Sequence, residues 1–240
     1  MQIEVYGYTA QGNRQENEDT GAFEQFGKDQ LYAIVADGLG GHGGGKAASA
    51  AVVEAMVQCK SEKSLPDEKK ITRWLQQANQ EILRKRNGPQ HMKSTVTALY
   101  VAENQAIWVH VGDSRLYHFY NGELANYTVD HSVSQIAVKL GEIHRNDLPN
   151  HPDRSKLLKV VGGTEVSPEF RGPLELKPGS HAFLLCSDGL WERLHEEEIL
   201  LDLHKSETPE QWIGFLRCRA ERRKSTDVDN NTAIAVFLKE

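Results

Sequence analysis

The chain has 240 residues and a formal net charge of −6, and its 39% hydrophobic and 26% charged residues are typical of an ordinary globular protein. No apolar run approaches the roughly 18 residues that span a bilayer, and the chain start lacks a signal-peptide pattern, so we expect a cytoplasmic protein without membrane contact. The negative charge argues against nucleic-acid binding, and the three widely spaced cysteines form no disulfide or zinc pattern.

The first part of the chain predicts two strands and two helices around a glycine-rich turn. Weak alternation predicts a strand over residues 3–8, and a short apolar run predicts a buried strand over residues 31–36. Small residues predict a helix over residues 45–59, and apolar residues at helical spacing predict another over residues 67–86.

The glycine-rich turn nearly matches a phosphate-binding P-loop. Gly40-x-x-x-x-Gly45-Lys46 has the spacing of that motif, but the next residue is Ala47, which has no hydroxyl group to offer Mg²⁺. We therefore disfavour a P-loop nucleotide binder and expect the glycines to allow close backbone packing where the chain enters a helix.

The middle of the chain predicts strands joined by short turns, which is typical of antiparallel hairpins. Strands are predicted at residues 95–101, 106–111, 116–120, 123–129 and 165–170, in the run ending at Asp188 and at residues 232–238. Helices are predicted at residues 130–141, with a capping residue at the start, 191–203 and 209–222. Residues 142–156 are predicted to form a long polar connection. Runs of strands and helices without strict alternation favour an α+β fold. The basic cluster at residues 217–224 predicts a solvated helix face.

Acidic residues recur at the ends of predicted strands. Asp37 and Asp188 each follow an apolar run and precede a glycine, and Asp113 follows another strand and Gly112. In a single copy, a strand followed by Asp-Gly is more often an ordinary turn. The recurrence, together with Glu18-Asp19 and Asp229, indicates carboxylates that converge on one site.

An all-carboxylate site suits hard divalent cations such as Mg²⁺ or Mn²⁺ and not zinc. Two such cations lower the pKa of water and shield the charge of an incoming phosphate. Arg14 carries a guanidinium whose fork geometry matches phosphate oxygens. These residues therefore predict metal-assisted phosphoryl hydrolysis by water, with no protein nucleophile.

Six short motifs occur in a fixed order along the chain. They are Gly12-x-Arg14-x-x-Asn17-Glu18-Asp19, Ala36-Asp37-Gly38-x-Gly40-Gly41, Gly112-Asp113-Ser114-Arg115, Asp130-His131-Ser132, Ser187-Asp188-Gly189 and Asp229-Asn230-x-Thr232. In this order the chain resembles the bacterial form of the PPM-type metal-dependent Ser/Thr protein phosphatases, the protein phosphatase 2C family. The resemblance implies a four-layer α-β-β-α sandwich of two antiparallel sheets flanked by helices. It also implies a single phosphatase domain over residues 1–240, with a flap-like segment near residues 132–160.

The resemblance implies two Mn²⁺ or Mg²⁺ ions and a third, weaker one. The implied ligands are Glu18 (through water), Asp19, Asp37, the Gly38 carbonyl, Asp113, Asp188 and Asp229. Asp37 would bridge the two main ions, with Asp188 and Asp229 on the first and Asp19 on the second, and Asp113 would hold the third. Arg14 matches the family's phosphate-binding arginine, so Arg14 and Asp37 are the expected catalytic residues.

Two positions depart from the family pattern. Eukaryotic members often carry a histidine after the Asp-Gly pair as a proposed general acid, whereas this chain has Leu39 there. His42 lies in the glycine run and is expected to be structural, so water would protonate the leaving group. The family's usual Gly-Thr-Thr segment is Lys93-Ser94-Thr95 here, which removes no ligand.

The resemblance predicts a phosphatase that removes phosphate from Ser or Thr in proteins and opposes a bacterial Ser/Thr kinase. Its expected partners are phosphorylated proteins, including such a kinase or its substrates, and we expect a monomer. The alternative is a catalytically weak phosphoprotein-binding module on the same fold. Loss of metal ligands would favour that alternative, and every expected ligand is present.

Overall fold

The computed structural model describes residues 1–40, 44–61, 64–86, 92–223 and 227–239. The strands, numbered in chain order, are β1 (Gln2–Ala10), β2 (Thr20–Phe26), β3 (Gln30–Ala36), β4 (Gly38–Leu39), β5 (Lys93–Ser94), β6 (Val96–Ala102), β7 (Gln105–Val111), β8 (Arg115–Tyr120), β9 (Glu123–Tyr127), β10 (Glu169–Glu175), β11 (His181–Cys186) and β12 (Asn231–Lys239). The α-helices are α1 (Gly44–Met56), α2 (Glu68–Lys85), α3 (Val133–Lys139), α4 (Asp188–Trp191), α5 (Glu196–His204) and α6 (Pro209–Arg222), with 3₁₀ turns at Val57–Ser61 and Arg145–Asn150. His42 and its neighbouring glycines at 41 and 43 lie outside the described residues, as do residues 87–91, which follow the predicted second helix.

Two five-stranded sheets form the centre of the molecule. The first has the order β1-β12-β11-β8-β9, and the second has the order β10-β7-β6-β3-β2. Neighbouring strands in both sheets pair antiparallel. A short β4-β5 pair extends beyond β3 and joins the backbone of Gly38 to that of Ser94.

Apolar side chains fill three layers between these elements. The inner faces of the two sheets meet through residues such as Leu31, Val35, Phe183 and Leu185. On the outside, α1 and α2 cover the second sheet, and α4, α5 and α6 cover the first, where the fully buried Trp212 lies. The predicted four-layer α-β-β-α sandwich is therefore confirmed.

Local signals account for the helix starts. Asp67 accepts a hydrogen bond from the Lys70 backbone at the start of α2, and Ser132 caps α3 by accepting one from Gln135. Thr208 caps α6, whose first residue is a proline. A capping side chain satisfies an otherwise unpaired N–H group in the first turn, so each helix begins where the sequence supplies that group.

Three elements differ from the sequence prediction. β2 was not predicted, because as an edge strand it is mostly exposed and its sequence carries little apolar alternation. The strand expected at residues 165–170 is β10, which begins at Glu169 because its extent follows pairing with β7. The helix expected at residues 191–203 is divided into α4 and α5, since the backbone N–H of His195 donates to the Glu198 side chain and starts a new helix.

Other sequence expectations agree with the structure. Cys59 and Cys186 are buried free thiols, and Cys218 is an exposed one. Among the described residues, no helix is both long and apolar enough to cross a bilayer.

Candidate active site

One end of the sandwich brings the predicted acids together. Asp37 follows β3 of the second sheet, whereas Asp188 follows β11 and Asp229 precedes β12 of the first sheet. They share a cavity of 530 Å³ lined by Arg14, Gln15, Glu16, Glu18, Asp37, Gly38, Leu39, Gly40, Asp188, Asp229 and Asn230. The lining includes every predicted site residue except Asp19 and Asp113.

Asp37 is held rigidly at the floor of this cavity. Its backbone N–H donates to Thr95 Oγ1 over 3.1 Å, and its carbonyl accepts from the Thr95 N–H and from Ser94 Oγ. The next residue must be glycine, since a Cβ on Gly38 would lie 2.1 Å from the Gly45 carbonyl oxygen. The backbone of Asp37 and Gly38 is therefore held between the Ser94-Thr95 segment and the start of α1.

Burial and mutual repulsion raise the pKa values of the central carboxyls. The pKa of Asp37 is raised well above its usual range, first by burial and then by the charges of Asp188 and Asp19. The pKa of Asp188 is raised likewise, by burial and then by Asp113 and Glu192. Such crowding favours protons or cations at this point of the structure.

Asp19 lies behind the cavity wall. Ser187 Oγ donates to its Oδ2 over 2.8 Å, while its Oδ1 is buried without a hydrogen-bond partner. Burial raises its pKa to about 6, although the Ser187 hydrogen bond opposes that rise. An unpaired buried carboxylate oxygen is costly, and a cation would satisfy it.

Glu18 faces the cavity from the same loop. Its Oε1 accepts from the backbone N–H of Gly45 in the first turn of α1, over 3.1 Å. Lys46 Nζ donates to the Asp19 carbonyl over 2.7 Å, and Ser49 Oγ donates to the Glu18 carbonyl. The lysine of the apparent P-loop thus anchors the acidic loop, a role that the sequence did not indicate.

Asp113 is also buried near the centre. Its carbonyl accepts from the Trp191 indole over 3.0 Å, and burial, together with Asp130, raises the pKa of its carboxyl to about 7. Beside it lies Glu192, whose pKa is raised by burial and which pairs with Arg154 over 3.3 Å. Glu192 was not among the predicted site residues, because no motif marks it.

Arg14 closes one side of the cavity through a fork-shaped ion pair. Its Nε and Nη2 donate to the two Asp229 oxygens, each over 2.9 Å, and its Nη1 lies 3.5 Å from Asp227. The hydrogen bond to Asp229 raises the pKa of Arg14 further, so the guanidinium is charged at any working pH. The Arg14 side chain is 44% exposed, which leaves it accessible to an incoming anion.

Asn230 fastens the acidic loop to the start of β12. Its Nδ2 donates to the carbonyls of Gln11 and Glu16 over 2.7 and 3.0 Å, and its Oδ1 accepts from the Glu18 N–H over 2.8 Å. The Asp-Asn pair before the last strand could have signalled this role, but the sequence gives no partner for the amide.

The donor set fits hard divalent cations. All predicted side-chain ligands are carboxylates, the Gly38 carbonyl adds a neutral oxygen, and Asp19 leaves one buried oxygen unsatisfied. Carboxylates repel one another, and Arg14 draws Asp229 aside. These two effects keep the cavity acids apart, so a different group of described residues has ligand atoms that lie closer together.

That closer group consists of His110, His131 and Glu169, with ligand atoms within 4.8 Å of one another among the described residues. The two imidazole rings stack in parallel, with centroids 4.5 Å apart and planes inclined by 3°. In parallel rings the lone pairs lie in separate planes and cannot converge on one ion. The backbone N–H of Gly112 also donates to His131 Nδ1, which leaves the proton of the neutral ring on Nε2. The acidic cavity is therefore the better metal site.

Known proteins resemble this chain in sequence and in fold. The family profile described as Protein phosphatase 2C matches residues 6–225. The serine/threonine phosphatase stp of Listeria monocytogenes serotype 4b (strain F2365) is 34% identical over 199 residues, which cover 78% of this chain and 77% of that protein.

Solved structures agree over nearly the whole length. The crystal structure of the Mycobacterium tuberculosis serine/threonine phosphatase PstP/Ppp has a TM-score of 0.82 at 29% identity and covers 99% of each chain. A structure of the PstP catalytic domain in complex with 2 manganese ions has a TM-score of 0.82 at 27% identity, again over 99% of each chain.

Fold and site together define a metal-dependent phosphatase with two facing antiparallel sheets. The chain belongs to the protein phosphatase 2C family of bacterial PPM-type serine/threonine phosphatases. The predictions of family, fold class and metal-dependent enzyme are thereby confirmed.

Proposed function

We propose that this enzyme hydrolyses phosphoserine and phosphothreonine in proteins by direct attack of water at a centre of two divalent cations. The observation that carries the proposal is the single cavity shared by Asp37, Asp188, Asp229, Glu18 and Arg14. Four carboxylates beside one guanidinium suit cations on one side and a phosphate on the other.

The carboxylates divide naturally between two cations. In this proposal Asp37 would contact both ions, Asp188 and Asp229 would hold the first, and Glu18 and the Gly38 carbonyl would complete the site. Asp19 supports the second ion from behind the wall, and Asp113 supports a third, weaker one. When bound, Mn²⁺ or Mg²⁺ lowers the pKa of water and offsets the charge of the phosphate.

Arg14 orients the phosphate in this proposal. Its fork of N–H donors, which now holds Asp229, matches two phosphate oxygens equally well. Histidine is absent from the described lining of the cavity, where Leu39 follows Gly38. Water therefore protonates the leaving serine or threonine oxygen.

The segment over residues 132–160 is proposed as a flap beside the active site within one phosphatase domain. Arg145 holds it to α5 through Glu196, and Arg154 holds it to Glu192 beside the acidic cluster. Leu140, which is 68% exposed, offers an apolar contact to a substrate protein. A segment tied down by a few ion pairs can adapt to different protein substrates.

The physiological substrates are proposed to be proteins phosphorylated by a bacterial Ser/Thr kinase, which this enzyme would oppose. The support is the serine/threonine phosphatase description of the relatives and the phosphate-sized site described above.

The test is hydrolysis of p-nitrophenyl phosphate and of a phosphothreonine peptide with Mn²⁺, with EDTA and with Asp188→Asn. We expect EDTA to abolish turnover and the variant to reduce kcat by at least about a hundredfold, since a metal ligand is lost. Asp29→Asn is the matched control, because Asp29 lies in the turn at the opposite end of β3.

Two results would contradict the proposal. Turnover that survives both EDTA and Asp188→Asn would remove the metal centre from the mechanism. Tight Mn²⁺ binding without turnover of either substrate would instead support the phosphoprotein-binding module.

A further inference from the structure

A second cavity adjoins the active site, and the segments at residues 12–16 and 228–231 form the wall between the two. Its volume is 220 Å³, and we call it the basic pocket; its lining residues are Tyr8, Ala10, Gly12, Asn13, Arg193, Arg217, Ala220, Glu221, Val228 and Asn231. The two cavities share the same two chain segments. Residues 12 and 13 line the basic pocket and residues 14–16 line the acidic cavity, while residues 228 and 231 flank the pair 229–230 on the acidic side.

The basic pocket carries an excess of positive charge. Arg193 and Arg217 line it against a single carboxylate, Glu221. Arg217 lies over the Tyr8 ring, 4.6 Å from its centroid, and Arg193 donates to the Gly189 carbonyl. Within the part of the chain that the structure describes, neither guanidinium forms an ion pair with a carboxylate.

Two neighbouring arginines, Arg219 in α6 and Arg223 just after it, form ion pairs instead. Arg219 pairs with Asp202 and Glu198, and the following Arg223 also pairs with Glu198. Arg217, Arg222 and Arg223 of the predicted basic cluster are exposed, as expected of a solvated face, whereas Arg219 is half-buried. The paired members of the cluster hold α5 to α6, whereas Arg217 turns toward the basic pocket.

The charges of Arg193 and Arg217 both act on the Tyr8 hydroxyl. Burial raises the pKa of the Tyr8 hydroxyl, while Arg217 and Arg193 both oppose that rise. The hydroxyl donates to Asn231 Oδ1 over 2.9 Å, which fixes the aromatic ring beneath Arg217. A guanidinium positioned on an aromatic ring keeps its N–H fork directed outward, where it can bind an anion in two-point geometry.

We propose that the basic pocket is a second anion site, which binds a phosphate or carboxylate carried by the substrate protein close to the phosphoresidue being hydrolysed. The inference rests on the proposed function, because it assigns the acidic cavity to that phosphoresidue. Gly12 and Asn13 of the basic pocket run directly into Arg14 of the acidic cavity, so we expect one substrate chain to reach both sites. The enzyme therefore prefers acidic or multiply phosphorylated segments.

The experiment compares two peptides around one phosphothreonine, with glutamates or glutamines flanking it on both sides. The wild-type enzyme should show a KM about tenfold lower for the acidic peptide, with similar kcat. Arg217→Gln should remove that difference by raising the KM of the acidic peptide alone. Arg222→Gln removes the same charge from an exposed position of α6 outside the pocket, and it should retain the preference.

Hydrolysis of p-nitrophenyl phosphate, which carries no second anion, reports on the catalytic centre alone. No hydrolysis of any substrate with Mn²⁺ would refute the proposed function itself. Hydrolysis of both peptides with equal KM, or a preference that survives Arg217→Gln, would refute only the second anion site. Loss of the preference in Arg222→Gln as well would assign it to overall charge and would also refute the second anion site.

Discussion

The Arg14 guanidinium has two alternative partners, the Asp229 carboxylate and an incoming phosphate. It holds Asp229 through two hydrogen bonds of 2.9 Å, and the Arg14 side chain is 44% exposed. Asp229 is also a proposed metal ligand. Cation binding at Asp229 would therefore release Arg14 for the phosphate, and the same residue pair would couple metal loading to substrate binding.

Arg14→Lys and Arg14→Gln test this coupling. We expect kcat/KM for p-nitrophenyl phosphate to fall by about ten- to a hundredfold in Arg14→Gln, the cost of losing charge-assisted hydrogen bonds. Arg14→Lys should have a higher kcat/KM than Arg14→Gln but a lower one than the wild type, because an ammonium lacks the two-point geometry. Mn²⁺ titration should show unchanged or tighter binding in Arg14→Gln, since Asp229 has lost its competing partner; weaker binding would contradict the coupling.

At the scale of single residues, the sequence predicts the carboxylates but not what positions them. Asp37, Asp188 and Asp229 were recognisable because each adjoins a predicted strand and a short motif. Lys46 and Asn230 were not recognisable as positioning groups, since their partners are backbone atoms brought near by tertiary folding. Hydrogen-bond partners distant in sequence leave no local pattern.

Among the secondary-structure elements, β8 and the start of α3 are joined by a buried ion pair. Arg115 donates to both Asp130 oxygens over 2.8 and 2.7 Å, with side-chain exposures of 6% and 3%. The guanidinium also stacks on the Trp191 ring at 3.4 Å, and Trp191 in turn donates to the Asp113 carbonyl. The pair thus supports the back of the acidic site.

Arg115→Met should lower the free energy of unfolding by about 3–5 kcal/mol, because it leaves the Asp130 charge buried without a partner. Adding Asp130→Asn to that variant should restore a large part of the loss, since the uncompensated charge is then gone. Chemical denaturation of the two variants beside the wild type measures both effects. Equal stability of the single and double variants would mean that packing on Trp191, and not charge, is what Arg115 contributes.

A histidine pair connects β8 to β11. His118 Nδ1 accepts from Asn126, its Nε2 donates to His181 Nδ1 over 3.0 Å, and His181 Nε2 donates to the Lys177 carbonyl. Every ring nitrogen is used in the neutral form, so neither ring can gain a proton without breaking a bond. Burial, with a smaller contribution from His181, lowers the pKa of His118 to about 3.

Acid should therefore destabilise the fold through His118. A folded-state pKa below the unfolded value near 6.5 means that stability is present above pH 6.5 and is lost as the pH falls toward 3. The loss attributable to this group should reach about 3 kcal/mol by about pH 4. His118→Phe should be less stable near neutral pH but should show a shallower decline in acid, whereas His204→Gln, at an exposed position, should follow the wild type.

The sequence predicted the central strands and capped helices well and the two edge strands of the second sheet poorly. β3, β6, β7 and β12 are apolar enough to be recognised alone, and α6 was predicted with the bounds it has. Edge strands β2 and β10 exist because a neighbouring strand pairs with them, which is a tertiary effect. In the second sheet, local pattern therefore describes the interior better than the borders, whereas the edge strands β1 and β9 of the first sheet were predicted.

For the whole molecule, the acidic centre is a source of instability that the fold tolerates. Burial raises the pKa of Asp113 to about 7 and the pKa of Asp37 and Asp188 well above the usual range. Around neutral pH these groups must either hold protons or repel one another. Apolar packing in three layers on both sides of the sheets supplies the compensating stability.

This balance predicts opposite pH responses with and without metal. Folded-state pKa values above the unfolded value near 3.9 give stability that is fully present at low pH and lost as the pH rises through the folded pKa. In EDTA, the free energy of unfolding should therefore fall by about 1 kcal/mol or more between pH 6.5 and pH 8, a window in which folded His118 is neutral and the remaining titration of its unfolded form adds back less than about 0.5 kcal/mol.

Saturating Mn²⁺ should abolish or reverse that fall, because ionised carboxylates bind the cation and binding to the folded state stabilises it. Thermal and chemical unfolding at each pH, in EDTA and in Mn²⁺, provides the measurement. Asp188→Asn removes one charge from the cluster, so its EDTA curve should be flatter than that of the wild type. An EDTA curve for the wild type that is already flat over this range would show that the carboxylates separate or hydrate when no cation is bound, and the crowded centre would then be a property of the metal-loaded enzyme alone.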